Sequence, residues 1–236
     1  MIKINWSFVD KVVYINLAKR TDRRESIEFQ LKKIGVPQDK IIRFEAVENE
    51  NGALGCTLSH IGVMTMAKGN NWNNVLILED DMIFNDDDES LDRINYFFSS
   101  LIFSSWDAGL LSGSYFQLKQ EHGCFYRLYF SYLTNSYIVN QHYYQTLRNV
   151  FIKSAEELSA GVPRHKCCLD LHWNALMKED NWYAAYPCVG YQLVDQSDIE
   201  NVITDRTTSL PGHWMKCNYH REKTLPYFCN RGDKSA

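Results

Sequence analysis

The run Val75 to Leu78 (VLIL) constrains the fold of this chain more than any other segment. Its four side chains are all apolar, so both faces of a strand built from them avoid water. This pattern is typical of a central strand in a sheet that helices cover on both sides. The run therefore predicts a layered α/β fold with this strand near the middle.

Strand and helix patterns alternate on either side of that run. The charged cluster 19–24 is interpreted as a loop between the first strand and the first helix. Alternation of this kind predicts a three-layer α/β/α sandwich with a mostly parallel central sheet. The predicted strands are 11–17, 41–47, 75–78, 106–111, two within 126–139, and 182–189; the predicted helices are 27–34, 55–68, 91–103, 141–153 and 168–178.

The length of 236 residues is enough for one large α/β domain. We expect a single domain over 1–236, with 200–236 forming an irregular C-terminal extension, because periodic signals are few beyond Asp198. No internal repeat or low-complexity segment divides the chain.

The net charge of −4 and pI near 6.0 argue against a nucleic-acid partner, since such proteins normally present a basic face. The N-terminus lacks the apolar core of a signal peptide, and no run reaches the roughly 18 apolar residues of a transmembrane helix. We expect a cytoplasmic location, with peripheral membrane attachment through a partner left open.

The seven cysteines include no Cys-x-x-Cys pair and are expected to be free thiols. The aromatic share of 14% is high. Aromatic rings serve carbohydrate sites, but the apolar core uses them more often.

Three acids, Glu79, Asp80 and Asp81, directly follow the VLIL run. Buried acids are costly unless they meet a cation or project from the carboxyl end of the strand, which is the end where open α/β sheets bind ligands. Alternation predicts that Glu79 and Asp81 point one way and Asp80 the other. Two carboxylates on one side can hold a hard divalent cation that clamps a diphosphate. A helix N-cap or a solvated loop end is the alternative.

Five segments occur in an order that resembles glycosyltransferase family 25, which includes bacterial lipooligosaccharide galactosyltransferases and collagen galactosyltransferases. The resemblance spans roughly residues 12–199, and the joint order is more specific than any single motif. The segments are VYINLAKRTDRRESIEFQL (13–31), GALGCTLSHIGVM (52–64), VLILEDDMIF (75–84), SYIVN (136–140) and YPCVGYQLVDQSDI (186–199).

The resemblance implies a GT-A type fold and an inverting transfer of a hexose from a UDP-sugar, often UDP-galactose. It implies a glycan acceptor (oligosaccharide, glycolipid or glycoprotein) and a divalent cation, usually Mn²⁺. On this basis Glu79 and Asp81 are the expected metal ligands, and Asp80 is expected to meet the ribose or the sugar.

Polar and basic residues follow the first strand, and we expect them to contact the nucleotide-sugar. Guanidinium groups bind phosphate oxygens with forked hydrogen bonds. We favour this role for one or two of the three arginines, and a solvated charged loop paired with Asp22 and Glu25 is the alternative. The candidates are Asn16, Leu17, Arg20, Arg23 and Arg24.

Ser59 and His60 follow a helix start rich in small residues, where a backbone can approach a phosphate or the donor sugar closely. A lone histidine near a helix is more often packed in the core, and the family resemblance is what favours a donor contact here.

Asp170 lies where the family has a Val-Asp pair before a helix, and it is the candidate general base, because inverting transfer needs a carboxylate to take the acceptor proton. The family more often shows proline and valine at the positions before it, where this chain has Cys167, Cys168 and Leu169. A helix N-cap is the alternative role.

Late in the chain, Gln192, Ser197 and Asp198 are expected to contact the donor or the acceptor, or else to order a loop. GT-A enzymes of several families complete the metal shell with a late histidine. His213, between Gly212 and Trp214, is the better placed candidate, ahead of His220.

Two other functions stay open. A nucleotidyltransferase shares strand-end acids and an α/β sheet, but normally has a glycine-rich phosphate loop, and residues 17–24 contain no glycine. An inactive glycan-binding module of the same fold is the second alternative, and the retained acids argue against it.

Overall fold

The computed structural model describes residues 2–193 and the strand residues 195–196 and 203–204. The strands are β1 Lys11–Asn16, β2 Ile41–Glu45, β3 Asn74–Glu79, β4 Met82–Phe84, β5 Ala108–His122, β6 Phe125–Asn140, β7 Trp182–Ala185, β8 Gly190–Gln192, β9 Asp195–Gln196 and β10 Ile203–Thr204. The helices are α1 Thr21–Lys33, α2 Gly52–Gly69, α3 Asp88–Ile102, α4 Tyr144–Ser159, α5 Arg164–Cys167 and α6 Leu169–Glu179. Ser197, Asp198, His213 and most of the expected extension 200–236 lie outside the described residues.

The central sheet has six strands in the order β2-β1-β3-β6-β5-β7. β1 pairs in parallel with β2 and with β3, and β5 pairs in parallel with β7. β6 runs antiparallel to both of its neighbours β3 and β5. All strands of this sheet except β6 therefore point the same way, which confirms the predicted mostly parallel sheet.

Alternate side chains of β3 enter two different cores. Val75 and Ile77 pack with residues of α2, α4 and α6, whereas Leu76 and Leu78 pack with residues of α1 and α3. All four side chains are fully buried. The sheet is thus covered by helices on both faces, as the VLIL run predicts, and the fold is a three-layer α/β/α sandwich.

The charged cluster 19–24 is mostly helical, and its interpretation as a loop is wrong. Helix α1 begins at Thr21, so Arg23 and Arg24 lie in its first turns. Arginine and glutamate are good helix formers, and Asp22 in the first turn suits the positive end of the helix. The prediction followed apolar spacing alone and therefore started the helix too late.

The segment 126–139 forms one strand, not the two that the sequence predicts. β6 pairs with β5 in a long hairpin that has several register shifts, one of them between Ser112 and Ser114. Within β6, Leu133 has a φ of 72°. Bulges of this kind displace the alternation of buried and exposed side chains, which explains why the pattern read as two shorter strands.

The short strands β4 and β8, which the sequence analysis did not predict, pair antiparallel beside the main sheet. Three residues are too few to show a clear alternation. Their pairing brings Gln192 opposite Met82. Met82 directly follows the three acids 79–81, so Gln192 lies next to them.

Among the described residues, no helix combines the length and apolarity needed to cross a membrane. The five described cysteines carry free thiols, as predicted, and Cys217 and Cys229 lie outside the described residues.

Candidate active site

A cavity of about 620 Å³ opens at the carboxyl ends of β1 and β3, which lie side by side in parallel. Its volume falls in the range of small-molecule sites. The loop 46–51 between β2 and α2, together with Gly52 at the start of α2, forms one wall. The predicted site residues that line it are Leu17, Arg23, Ser59, His60, Glu79, Asp80, Asp81 and Gln192.

Asp80 and Asp81 form a turn between β3 and β4, so the alternation of the strand ends at Glu79. Nη1 of Arg23 lies 3.3 Å from Oδ1 of Asp80 and 3.4 Å from Oδ2 of Asp81. The expectation that Asp80 points away from Asp81 is therefore wrong. These two acids share one guanidinium group, and Glu79 faces other partners.

Asn16, at the end of β1, holds the carboxylate of Asp80 with a hydrogen bond. Its Nδ2 donates to Oδ2 of Asp80 at 2.7 Å and to the backbone oxygen of Arg20 at 3.0 Å. Its Oδ1 accepts from Nε of Arg43 at 3.1 Å. Asn16 is buried and is not among the residues that line the cavity. These contacts support a positioning role for the amide.

Asp81 combines burial with an incomplete set of partners. Nε2 of Gln192 donates to its Oδ2 at 2.9 Å, whereas its Oδ1 is buried and has no hydrogen-bond partner in the described part of the chain. Burial, and then the charge of Glu79, raise the pKa of Asp81 to about 7, although Arg23 opposes the shift. Burial likewise raises the pKa of Asp80, against the hydrogen bond from Asn16 and the charge of Arg23.

These observations fit a divalent cation at the strand end. Carboxylate oxygens are the ligands that Mn²⁺ and Mg²⁺ prefer. The orphaned Oδ1 of Asp81 offers one such oxygen, and Glu79 offers a second on the same cavity wall. Burial and the charge of Glu79 raise the pKa of Asp81 although Arg23 lies beside it, so a further positive charge here would favour the ionised carboxylate.

Glu79 faces α2 and β6. Its Oε1 accepts a hydrogen bond from the hydroxyl of Thr134 and lies 3.5 Å from Nε2 of His60. Nδ1 of His60 lies 2.7 Å from the hydroxyl of Tyr137. Cys56, one helical turn before His60, also lines the cavity, and burial, followed by the charge of Glu79, raises the pKa of its thiol.

The three candidate arginines have different surroundings. Arg20 pairs with Asp22 at 2.9 Å, and Arg24 pairs with Glu28 at 2.9 Å. Neither of the two lines the cavity, whereas Arg23 does. Of these three described arginines, the structure therefore brings Arg23 to the acids.

Ser59 stabilises the wall of the cavity. Its hydroxyl donates to the backbone oxygen of Gly55 at 2.7 Å and accepts from the backbone N–H of Val47 at 2.8 Å. The side chain therefore connects helix α2 to the loop 46–51.

Asp170 lies in the first turn of α6, whose N-cap residue is Cys168. The N-cap alternative for Asp170 therefore does not match the structure. Oδ2 of Asp170 accepts instead from the backbone N–H of Leu133 at 3.1 Å. Asp170 is not among the residues lining the cavity, but its charge contributes to the raised pKa of Cys56 on the cavity wall.

Sequence reasoning missed the partners that β6 supplies, namely Thr134 and Tyr137. Thr134 belongs to none of the five segments that resemble the family, and Tyr137 lies within SYIVN (136–140) but was given no site role there. Both reach the site because β6 pairs with β3. It also left out Cys56, although the four-residue spacing between Cys56 and His60 predicts a shared helix face.

Comparisons with known proteins give one family match. Residues 50–160 match the model of glycosyltransferase family 25 (LPS biosynthesis protein), which confirms the resemblance to that family predicted from the sequence. The match supports glycosyl transfer as the general class of activity. No curated protein sequence matches the chain.

Three solved structures resemble the chain at low identity. A mannose-1-phosphate geranyltransferase from Thermus thermophilus has a TM-score of 0.43 and 11% identity, covering 75% of this chain and 73% of that one. A glycosyltransferase involved in glycosylation of the major capsid of PBCV-1 has a TM-score of 0.38 and 10% identity, covering 74% and 92%. A Drosophila β-1,4-galactosyltransferase 7 variant in complex with manganese, UDP-Gal and xylobiose has a TM-score of 0.34 and 11% identity, covering 66% and 63%. Similarities this low carry no argument about activity.

Proposed function

We propose that this chain, whose residues 50–160 match glycosyltransferase family 25, transfers a hexose, galactose or glucose, from a UDP-sugar to a glycan acceptor. The transfer is metal-dependent, with Mn²⁺ as the expected ion, and inverts the configuration at the sugar. The acceptor class is an oligosaccharide, glycolipid or glycoprotein.

The charge of the cavity is the observation that carries the metal dependence. Five acidic and two basic side chains line the cavity, so its formal charge is −3 when His60 is neutral. The acidic residues are Glu48, Glu50, Glu79, Asp80 and Asp81, and the basic residues are Lys19 and Arg23. Lys19 is moreover paired with Glu48 at 2.6 Å. An anionic diphosphate is repelled by such a cavity unless a cation enters with it.

Different side chains of the cavity would contact the cation, the diphosphate and the sugar hydroxyl groups of the donor. Glu79 and Asp81 would hold the cation, which neutralises charge on the diphosphate and stabilises the leaving UDP. Arg23, next to the same acids, would donate to phosphate oxygens. Asp80, held by Asn16 and Arg23, would accept from hydroxyl groups of the ribose or the sugar.

Asp170 would act on the acceptor side. A carboxylate that takes the proton from the attacking hydroxyl raises its nucleophilicity as the bond to the sugar forms. The contact with the Leu133 N–H occupies Oδ2, and it would hold the carboxylate in one orientation while Oδ1 meets the hydroxyl.

The test is a donor assay with a panel of UDP-sugars and Mn²⁺, with and without candidate glycans. Release of UDP and free or transferred sugar supports the transferase. Exchange of pyrophosphate would support a nucleotidyltransferase, and binding without turnover would support an inactive module. Arg24→Lys is the matched control for the change Arg23→Lys, because Arg23 lines the cavity and Arg24 does not.

A further inference from the structure

Three side chains of different chemistry converge on the cavity wall beside the acids. The sulfur of Cys56, a ring nitrogen of His60 and a carboxylate oxygen of Glu79 all lie within 4.8 Å of one another. Cys56 and His60 stand four residues apart on α2, so they occupy one face of the helix. Glu79 ends β3 and faces them.

His60 presents one ring nitrogen to this cluster. The residue is completely buried, and its Nε2 has no hydrogen-bond partner among the residues that the structure describes. Nδ1 contacts the hydroxyl of Tyr137 at 2.7 Å, and the ring packs against Tyr137 and Phe151. A core histidine normally has both nitrogens satisfied. A histidine that ligates a metal instead has one nitrogen held by a polar neighbour while the other is directed at the ion.

The acids of the strand end fall into two groups. Asp80 and Asp81 share Arg23, whereas Glu79 faces His60 and Thr134. A thiolate, an imidazole and a carboxylate form a ligand set that favours Zn²⁺ over the hard ions Mg²⁺ and Mn²⁺. Ligands of tetrahedral zinc stand roughly 3 to 4 Å apart because the bonds are about 2.0–2.3 Å long. The three atoms lie within 4.8 Å of one another, so they would have to approach by about 1 Å to reach that spacing.

We propose that Cys56, His60 and Glu79 form a site for a thiophilic divalent cation, with Zn²⁺ as the expected ion, separate from Asp80 and Asp81. Because all three residues line the cavity, a cation that they held would be reachable from it. Glu79 is also a proposed ligand of the Mn²⁺ that the transfer requires. Zn²⁺ bound to Glu79 would therefore compete with Mn²⁺ for this carboxylate. Zinc binding itself does not depend on the proposed activity.

Cobalt spectroscopy on the full chain tests this site directly. Co²⁺ replaces Zn²⁺ in such sites, and a thiolate ligand produces a charge-transfer band in the near ultraviolet. The titration is done in a chain that carries Cys217→Ser and Cys229→Ser, which removes the thiols outside the described residues. We expect the band to form, to disappear when Zn²⁺ is added, and to be absent in Cys56→Ser.

Two further variants test the geometry. Tyr137→Phe keeps the ring but removes the hydroxyl that holds Nδ1, and it should weaken Zn²⁺ binding by about ten- to a hundredfold. Cys124→Ser removes a half-buried thiol elsewhere and should leave the band unchanged, as should Asp81→Asn. Circular dichroism checks that each variant is folded.

Absence of the band in the parent chain, or its persistence in Cys56→Ser, would overturn the zinc site. Because the readout is spectroscopic, it is independent of UDP-sugar turnover. Failure of the transferase assay with the band intact would therefore count against the proposed function and leave the metal site standing.

Discussion

Nη1 of Arg23 lies 3.3 Å from Oδ1 of Asp80 within the wall of the cavity, with both side chains nearly buried. The neighbouring Arg24 is half-exposed and pairs with Glu28. Two adjacent arginines with the same charge therefore have opposite surroundings, and this difference supplies an internal control for the role of the first.

Arg23→Lys should weaken UDP-sugar binding by about tenfold or more. Lysine keeps the charge but lacks the forked donors that span a carboxylate and a phosphate. Arg24→Lys should bind the donor like the parent chain. Calorimetry with UDP in the presence of Mn²⁺ measures both, and equal affinity in the two variants would remove Arg23 from the donor site.

Removal of metal should weaken UDP binding at least about tenfold, because the acidic cavity repels the diphosphate unless a cation enters with it. The measurement is calorimetry in Mn²⁺ and in EDTA. Asp81→Asn should abolish the difference. Asp86→Asn, which alters an exposed acid paired with Lys33, should retain it. UDP affinity that is unchanged by EDTA would exclude the ion from donor binding.

Stability without metal should fall as the pH rises from about 5 to 8. The pKa of Asp81 is raised from 3.8 to about 7 by burial and Glu79, so the folded state favours the protonated carboxyl. This stabilisation is complete below the unfolded pKa and is lost as the pH passes the folded one. Since one pKa unit corresponds to about 1.4 kcal/mol, the loss should be on the order of 1 to 3 kcal/mol.

Asp81→Asn provides the comparison for that pH dependence. Asparagine does not ionise, so urea unfolding of this variant should show a flatter pH profile and greater stability than the parent chain near pH 8. Mn²⁺ should also flatten the profile of the parent, because the cation favours the ionised carboxylate. Parallel profiles for the two proteins would show that Asp81 does not titrate in this range.

The central architecture could be predicted because a strand that is buried on both faces requires an uninterrupted run of apolar residues. Val75, Leu76, Ile77 and Leu78 are all apolar, and their side chains do divide between two cores. The position of Glu79 follows from the same run, since a strand that ends in acids places them at the carboxyl edge. Both features depend only on residues that are adjacent in the chain, and such short patterns can be recognised in the sequence.

The partners of the acids could not be predicted in the same way. Thr134 and Tyr137 reach Glu79 and His60 from a strand more than fifty residues further along the chain than Glu79. Gln192 reaches Asp81 because two three-residue strands pair. Such contacts depend on tertiary pairing, and the turn at Asp80 and Asp81 likewise depends on where β3 ends.

Gly190→Ala should disturb the site through the pairing of β4 and β8. A Cβ at Gly190 would collide with the backbone oxygen of Ile83, so β8 must shift and carry Gln192 away from Asp81. We expect a loss of about 1 to 3 kcal/mol in the free energy of unfolding, together with weaker UDP binding. Gly69→Ala is the control, since nothing lies within 4 Å of the added Cβ; full stability in Gly190→Ala would contradict the close approach.

Asp170→Asn separates the chemistry of transfer from donor binding. The asparagine oxygen can still accept from the Leu133 N–H, so the conformation of β6 around its positive φ should persist. The proton acceptor is lost, and turnover should fall by about a hundredfold to ten-thousandfold. The UDP dissociation constant and the melting temperature should stay near the parent values.

Asp170→Ala completes this test because it removes the contact with Leu133 as well as the proton acceptor. If Asp170 only supports the hairpin, asparagine should keep parent turnover while alanine lowers the melting temperature. If donor affinity collapses together with turnover in Asp170→Asn, the carboxylate belongs to the donor pocket, and Asp195 or Asp198 becomes the next candidate base. The transfer rate, UDP affinity and melting temperature of both variants distinguish these cases, and unchanged turnover in Asp170→Asn would refute the general-base assignment.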